Sequence, residues 1–306
     1  MSAGPGDGSR AVAIGGGHGL SRSLGALRRV VDHVTAVVTV ADDGGSSGRL
    51  RRDLDVVAPG DLRMALAALA GDRGLADLLQ YRFPRGELAG HSLGNLVLVA
   101  LQDLAAGDMV DALDRACRFL DVPGRVLPCT DVPVTLHART GDQEVSGQAA
   151  IGTTPRLDQV WLDPPSPPAT AAAVAAIRQA DLLVLGPGSL YTSLLPNLLV
   201  PGVARAVTAS NAPVVLVANL REQPGETEGM SLIAHLDALA EHVPDLTIDV
   251  LIAHDGGEPA GGAPLHVDET ALAGRVGRAV VRDLLDGQDG HDPVVLGRCL
   301  AELLGR

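Results

Sequence analysis

Two adjacent carboxylates, Asp42 and Asp43, end the apolar run "VTAVVTVA" and open the segment "DDGGSSGRLRRD". A plain turn needs one glycine and one aspartate; here three glycines, two serines and three arginines follow within ten residues. A carboxylate at a strand end of a nucleotide-binding sheet can accept hydrogen bonds from sugar hydroxyls or hold Mg2+. The glycines, with Ser46 and Ser47, can form a backbone concavity that donates N–H groups, and Arg49 is placed as a phosphate partner.

Three further strand ends carry the same kind of equipment. "AVAI" runs into "GGGHG", Gly15, Gly16, Gly17, His18 and Gly19, which opens a helix. Missing side chains let a ligand approach the backbone, and free N–H groups at a helix start favour an anion. The dinucleotide fingerprint G-x-G-x-x-G fails here, because its third glycine falls on Leu20 or Arg22. "DLLVLG" runs into "PGSLYTS", with Gly188, Ser189 and Tyr191, the last available to stack or hydrogen-bond, and "VVLVA" runs into "NLREQPGET", with Asn219 at its tip. Together the four ends predict one cleft for a phosphorylated ligand bearing hydroxyls.

The elements that must position these ends follow from apolar periodicity. Leu20, Leu24, Leu27 and Val31 recur at spacings of three and four, the face of a helix. Val34–Val40, Asp181–Gly186, Pro213–Leu220 and Thr247–His254 are continuous apolar runs without polar alternation, as in strands covered on both faces. Helical segments lie at 61–70, 93–105, 170–180 and 293–304. This alternation predicts an α/β fold: a Rossmann-like, doubly wound, mostly parallel sheet. The period-two pattern "VTLHART" and the turn "TGDQ" predict a β-hairpin insertion at about 124–162. Residues 1–10 read as a disordered N-terminus, and 11–306 as a single domain carrying that insertion.

Composition narrows the function. The net charge of −13 argues against a nucleic-acid partner. All 24 basic residues are arginine, so a phosphate loop that needs lysine and a Schiff-base enzyme are excluded. Cys117, Cys129 and Cys299 form no CxxC and read as reduced thiols of a cytoplasmic protein. The first ten residues contain no apolar signal-peptide core, and no run approaches a membrane span, so membrane insertion is not expected. The histidines lack metal-site spacing such as HxxxH.

The motifs "AIGGGHGLS", "VTVADDGGSSGRLR", "PGDLR", "GHSLGNL", "GRVLPCT", "VLGPGSLYTSLLPNLLVPG" and "QPGET", in that order from Ala11 to Thr227, resemble the gluconeogenesis-factor family. This family is also described as UDP-N-acetylglucosamine-binding proteins, and is related to the 2-phospho-L-lactate transferases of coenzyme F420 synthesis. The resemblance implies a cytoplasmic UDP-sugar-binding protein without settled catalytic activity. It also implies a role in gluconeogenic growth, cell shape and cell-wall synthesis, with partners in the wall-synthesis system. Carried over by motif, the ligand contacts are Gly15 to Gly19, Asp42, Asp43, Ser46, Ser47, Arg49, Arg63, Ser92, Asn95, Gly188, Ser189 and Tyr191. Two positions depart from the pattern: His18 stands where many members carry threonine, and Met64 where they carry asparagine. Ser92 and Asn95 also suit a helix cap.

Three function classes remain in view: a ligand-reading regulator, a transferase with Mg2+ on Asp42 or Asp43, and an NAD-dependent dehydrogenase, which the failed fingerprint weakens. Self-association is compatible with all three.

Overall fold

The computed structural model describes residues 8–287 and 290–305. The first seven residues of the expected disordered N-terminus lie outside the described residues; Arg10 already begins a strand. Seven strands make one sheet: β1 (Arg10–Gly15), β2 (His33–Val38), β3 (Gly124–Pro128), β7 (Leu182–Leu185), β8 (Val214–Val217), β9 (Val250–His254) and β10 (Arg278–Arg282). Its order is β10-β9-β8-β7-β1-β2-β3, and every neighbouring pair is parallel. Strands β7 and β8, "LLVL" and "VVLV", are buried at every position, as expected with helices on both faces.

The chain winds from β1 outward through β2 to β3, then returns to the other side of β1 with β7 and winds the opposite way. The reversal between β1 and β7 is a topological switch point, where crossover connections diverge and leave a crevice beyond the strands' carboxyl ends. Helix α1 (Gly17–Leu27) follows β1 and buries Leu20, Leu24 and Leu27. It packs against helix α3 (Gly60–Leu69) and the terminal helix Pro293–Leu303. Each such leucine contributes about 1.5–3 kcal/mol when fully buried.

Two expectations are revised. The segment after Asp43 is no open loop: helix α2 (Gly45–Leu54) starts there, capped by Gly44. The strand Gly124–Pro128 pairs with β2 in the parallel sheet, so the insertion begins after it. That insertion holds the expected hairpin, β4 (Thr135–Thr140) and β5 (Gln143–Ser146), plus β6 (Gln159–Asp163) on the other side of β4. Gly141 makes the hairpin turn at φ 57°, a left-handed conformation that favours glycine. No helix among the described residues is long and apolar enough to cross a membrane.

Candidate functional site

The two loops flanking the switch point touch through bare backbone. A Cβ on Gly19 would lie 2.5 Å from the Gly188 Cα, so α1 can press against the β7 loop here because neither residue has a side chain. Gly188 itself has φ 137°, and a Cβ on it would come 3.5 Å from the Gly16 carbonyl oxygen. The loop is held from two sides. Asn219, at the end of β8, accepts from the Gly188 N–H at 3.0 Å and donates back to its carbonyl at 3.0 Å. Gln223 donates to Ser189 Oγ at 2.9 Å. Beneath Gly15, the buried Asn197 donates to its carbonyl at 3.0 Å.

A cavity of about 610 Å³ opens at this junction, walled by His18, Gly188, Asn219, Arg22, Arg221 and His291. His291 Nε2 donates to the Ala218 carbonyl at 2.9 Å, which fixes the proton on that nitrogen because a carbonyl can only accept. Burial, then the nearby His254, Arg22 and Arg221, lower its pKa to about 4 against the opposing effect of that bond, so the ring is neutral.

Asp61, at the start of α3, links this cleft to the "DDGGSSG" segment. A Cβ on Gly16 would lie 2.5 Å from Asp61 Oδ2, and the Gly17 N–H donates to the Asp61 carboxylate. A Cβ on Gly60 would collide with Asp42 Oδ2 and lie 2.5 Å from Ser47 Oγ. The Asp42 carboxylate therefore sits against the α3 start, with the Gly44 N–H donating to its Oδ1 at 2.9 Å. Burial first, and Asp42 second, push the Asp61 carboxyl up to about 7; the Gly17 N–H and Arg63 oppose the rise. Asp61 Oδ2 is buried without a hydrogen-bond partner. Two adjacent carboxylates, one with a vacant buried oxygen, fit a hard divalent cation such as Mg2+, which takes one or two carboxylates plus ligand phosphate oxygens. Among the described residues, no group of three or more His, Cys, Asp or Glu side chains forms a metal site.

Behind Asp61 lies a buried polar cluster. Arg63 Nε donates to Asn95 Oδ1 at 3.0 Å, while Asn95 Nδ2 donates to Ser46 Oγ at 3.1 Å and Ser47 Oγ at 3.3 Å. Ser92 Oγ accepts from the Asn95 N–H at 3.3 Å and caps helix α5 (Leu93–Leu104). His91 Nδ1 meets Ser46 Oγ at 3.1 Å. The starts of α2, α3 and α5 are thereby tied together. Arg63 Nη1 is buried and unpaired, and burial lowers that guanidinium's pKa to about 10.

Three expected contacts turn elsewhere. Asp43 Oδ1 accepts from the Ala149 N–H at 2.9 Å, so this carboxylate anchors the insertion instead of joining Asp42 as a metal ligand. Arg49 donates to the Ala89 carbonyl at 2.8 Å, which ties α2 to the loop before Ser92 through one edge of its guanidinium. Tyr191 is 3% exposed: its hydroxyl donates to the Leu157 carbonyl at 3.4 Å and its ring meets His242 edge-on, so it packs in the core instead of stacking on a ligand. The backbone N–H groups of Tyr191 and Thr192 are held by the buried Glu226.

Asp61, Arg22, Arg221, Gln223 and His291 join the site without having been singled out from sequence. "PGDLR" contains Asp61 and "NLREQPGET" contains Arg221 and Gln223, so a signal existed for those three; Arg22 and His291 lie in stretches without one.

Comparison with known proteins decides the family. The model of the 2-phospho-L-lactate transferase CofD family matches residues 11–284. The chain is 54% identical over 256 residues to a protein of Mycobacterium tuberculosis named "Putative gluconeogenesis factor", covering 79% of this chain and 75% of that one. The chain belongs to the CofD family. This CofD-family chain is also 44% identical over 244 residues to the gluconeogenesis factor of Listeria monocytogenes, covering 78% of this chain and 76% of the other. A crystal structure of a UPF0052-family protein from Bacillus halodurans superposes on it with TM-score 0.90 at 37% identity, over 96% of this chain and 99% of that one.

Proposed function

We propose that the cleft binds a UDP-sugar of the UDP-N-acetylglucosamine type. On this reading the chain is a cytoplasmic regulatory factor for gluconeogenic growth, cell shape and cell-wall synthesis, acting through protein partners. The observation that carries it is the meeting of the glycine loop at the α1 start with the Gly188 backbone, beside a cavity of about 610 Å³. Helix-start N–H groups suit a phosphate, and the volume lies in the ordinary range for small-ligand pockets. Asn219 and Gln223 hold the loop and offer amides to sugar or base. Relatives named gluconeogenesis factors support the physiological setting. Calorimetric titration with UDP-N-acetylglucosamine, GTP and NAD tests it. Heat from the UDP-sugar is expected, and binding of NAD alone overturns it.

A second reading is favoured by the Asp42–Asp61 pair and by the family's description: a Mg2+-dependent transferase moving a phospholactyl-type group from a nucleotide to a deazaflavin acceptor. There Asp42 and Asp61 would hold Mg2+, which supplies charge neutralisation at phosphate oxygens. Turnover of a deazaflavin acceptor with Mg2+ would establish it.

A further inference from the structure

We infer that Arg22 and Arg221 divide a ligand's diphosphate between them, so that the cleft selects diphosphate-linked nucleotides over monophosphates. The inference rests on the reading of this cavity as the ligand site, and it adds the residues that set the ligand's charge. The chain carries −13 overall, yet two guanidiniums, Arg22 and Arg221, line this cavity together with His18 and Gly19 of the glycine loop and Gly188. His291 lines the same cavity, and both guanidiniums contribute to holding its proton affinity down.

Each guanidinium has a prepared seat. Space for Arg22 is left by Gly290, where a Cβ would lie 2.7 Å from the guanidinium carbon. Arg221 runs along Gly261 and Gly262, where added Cβ atoms would stand 3.6 Å from its Nε and 3.4 Å from its Cδ. Arg22 Nη2 pairs with Asp286 Oδ2 at 2.9 Å, and that side chain is only 17% exposed. A guanidinium carries five N–H donors in a flat fork matched to phosphate oxygens, so one carboxylate on one edge orients it without exhausting it. A monophosphate can engage one fork; a diphosphate can engage both.

The test titrates wild type, Arg22→Gln, Arg221→Gln and Asp286→Asn with pyrophosphate, UDP-N-acetylglucosamine, UMP and uridine, with circular dichroism as a folding check. Pyrophosphate is expected to bind wild type and compete with the UDP-sugar. Each arginine variant is expected to weaken both ligands about tenfold while changing uridine less than about twofold. Asp286→Asn removes the competing carboxylate and is expected to tighten pyrophosphate. Equal losses for pyrophosphate, UMP and uridine overturn the inference, as does unchanged pyrophosphate binding in both arginine variants. So does an Asp286→Asn protein that weakens as much as Arg22→Gln, since the ion pair then serves only the fold. Arg221→Gln decides the matter if the Arg22 and Asp286 variants fail to fold. Pyrophosphate binding without UDP-sugar binding sinks the proposed function and leaves this inference standing; the reverse sinks only this inference.

Discussion

Gly188 and Asn219 exchange two hydrogen bonds, each 3.0 Å long, so a side-chain amide completes the backbone of the loop after β7. The pair spans the ends of two neighbouring strands and fixes how the Gly188 backbone faces the glycine loop. Asn219→Ala removes a donor and an acceptor at once, leaving both Gly188 groups to find water. The expected cost is roughly 1–3 kcal/mol in stability and about tenfold in UDP-sugar affinity. Asn219→Asp keeps the acceptor, loses the donor and should fall between. Thermal unfolding and calorimetry check this; an alanine variant matching wild type in both would show that the clamp is incidental.

Asp61 makes stability depend on pH in an unusual direction. Its folded pKa of about 7 lies above the ordinary carboxylate value of 3.8. Between those values the folded state binds the proton more tightly, so stability falls as pH rises across the window and levels off above it. Every factor of ten in proton affinity is worth ~1.4 kcal/mol. Asp61→Asn should therefore flatten the Asp61-dependent part of the profile and raise the melting temperature above about pH 7 relative to wild type. Measurements belong in a chelator, since a divalent cation on Asp42 and Asp61 would favour the charged form. A variant with the wild-type slope would place the titration elsewhere.

The core elements were legible because burial on both faces leaves an unmistakable apolar run: Leu182–Leu185 and Val214–Val217 admit no other reading. Helix α2 was hidden because "GSSGRLRRDL" is polar and glycine-rich, and it forms as a helix where its first turn locks into Asn95 through Ser46 and Ser47. Strand β10 was missed for a related reason. "RAVVR" is a short edge strand, half exposed, and its pairing with β9 is a tertiary fact. In the site, residue types identified the loops but not side-chain directions. Asp42 and Asp43 are identical in sequence terms, yet one faces Gly60 and the other Ala149. The contribution of Arg22 depends on Gly290, far away in the chain, which no local motif announces.

Glu226 sets the shape of the loop after β7 from below. Its Oε1 accepts from the Tyr191 N–H at 2.6 Å and the Thr192 N–H at 3.0 Å, and its Oε2 accepts from Thr192 Oγ1 at 3.2 Å. Burial raises its pKa, and these donors oppose the rise. Glu226→Ala would strand two buried N–H groups, an expected loss of about 2–6 kcal/mol at roughly 1–3 kcal/mol per unsatisfied group. Glu226→Gln retains an oxygen for the two backbone donors and should lose less than half as much. The comparison is made by urea denaturation, and equal losses for the two variants would mean that packing, not hydrogen bonding, sets the cost.

Asp42 and Asp43 should separate cleanly under mutation. Asp43→Ala leaves the Ala149 N–H bare at the start of the helix Gln148–Ile151, so it should cost about 1 kcal/mol and speed amide exchange around residues 147–151. Ligand and Mg2+ affinity should then change less than about threefold, well under 1 kcal/mol. Asp42→Ala has the opposite profile. It removes a negative neighbour that pushes the Asp61 proton affinity up, so Asp61 should titrate lower and stability near neutral pH should hold or rise. With half of the candidate cation pair gone, UDP-sugar and Mg2+ binding should weaken at least about tenfold. If Asp43→Ala proves the more damaging to binding, the carboxylate facing Gly147 and Ala149 must swing into the cleft when ligand arrives, and the insertion would have to move with it.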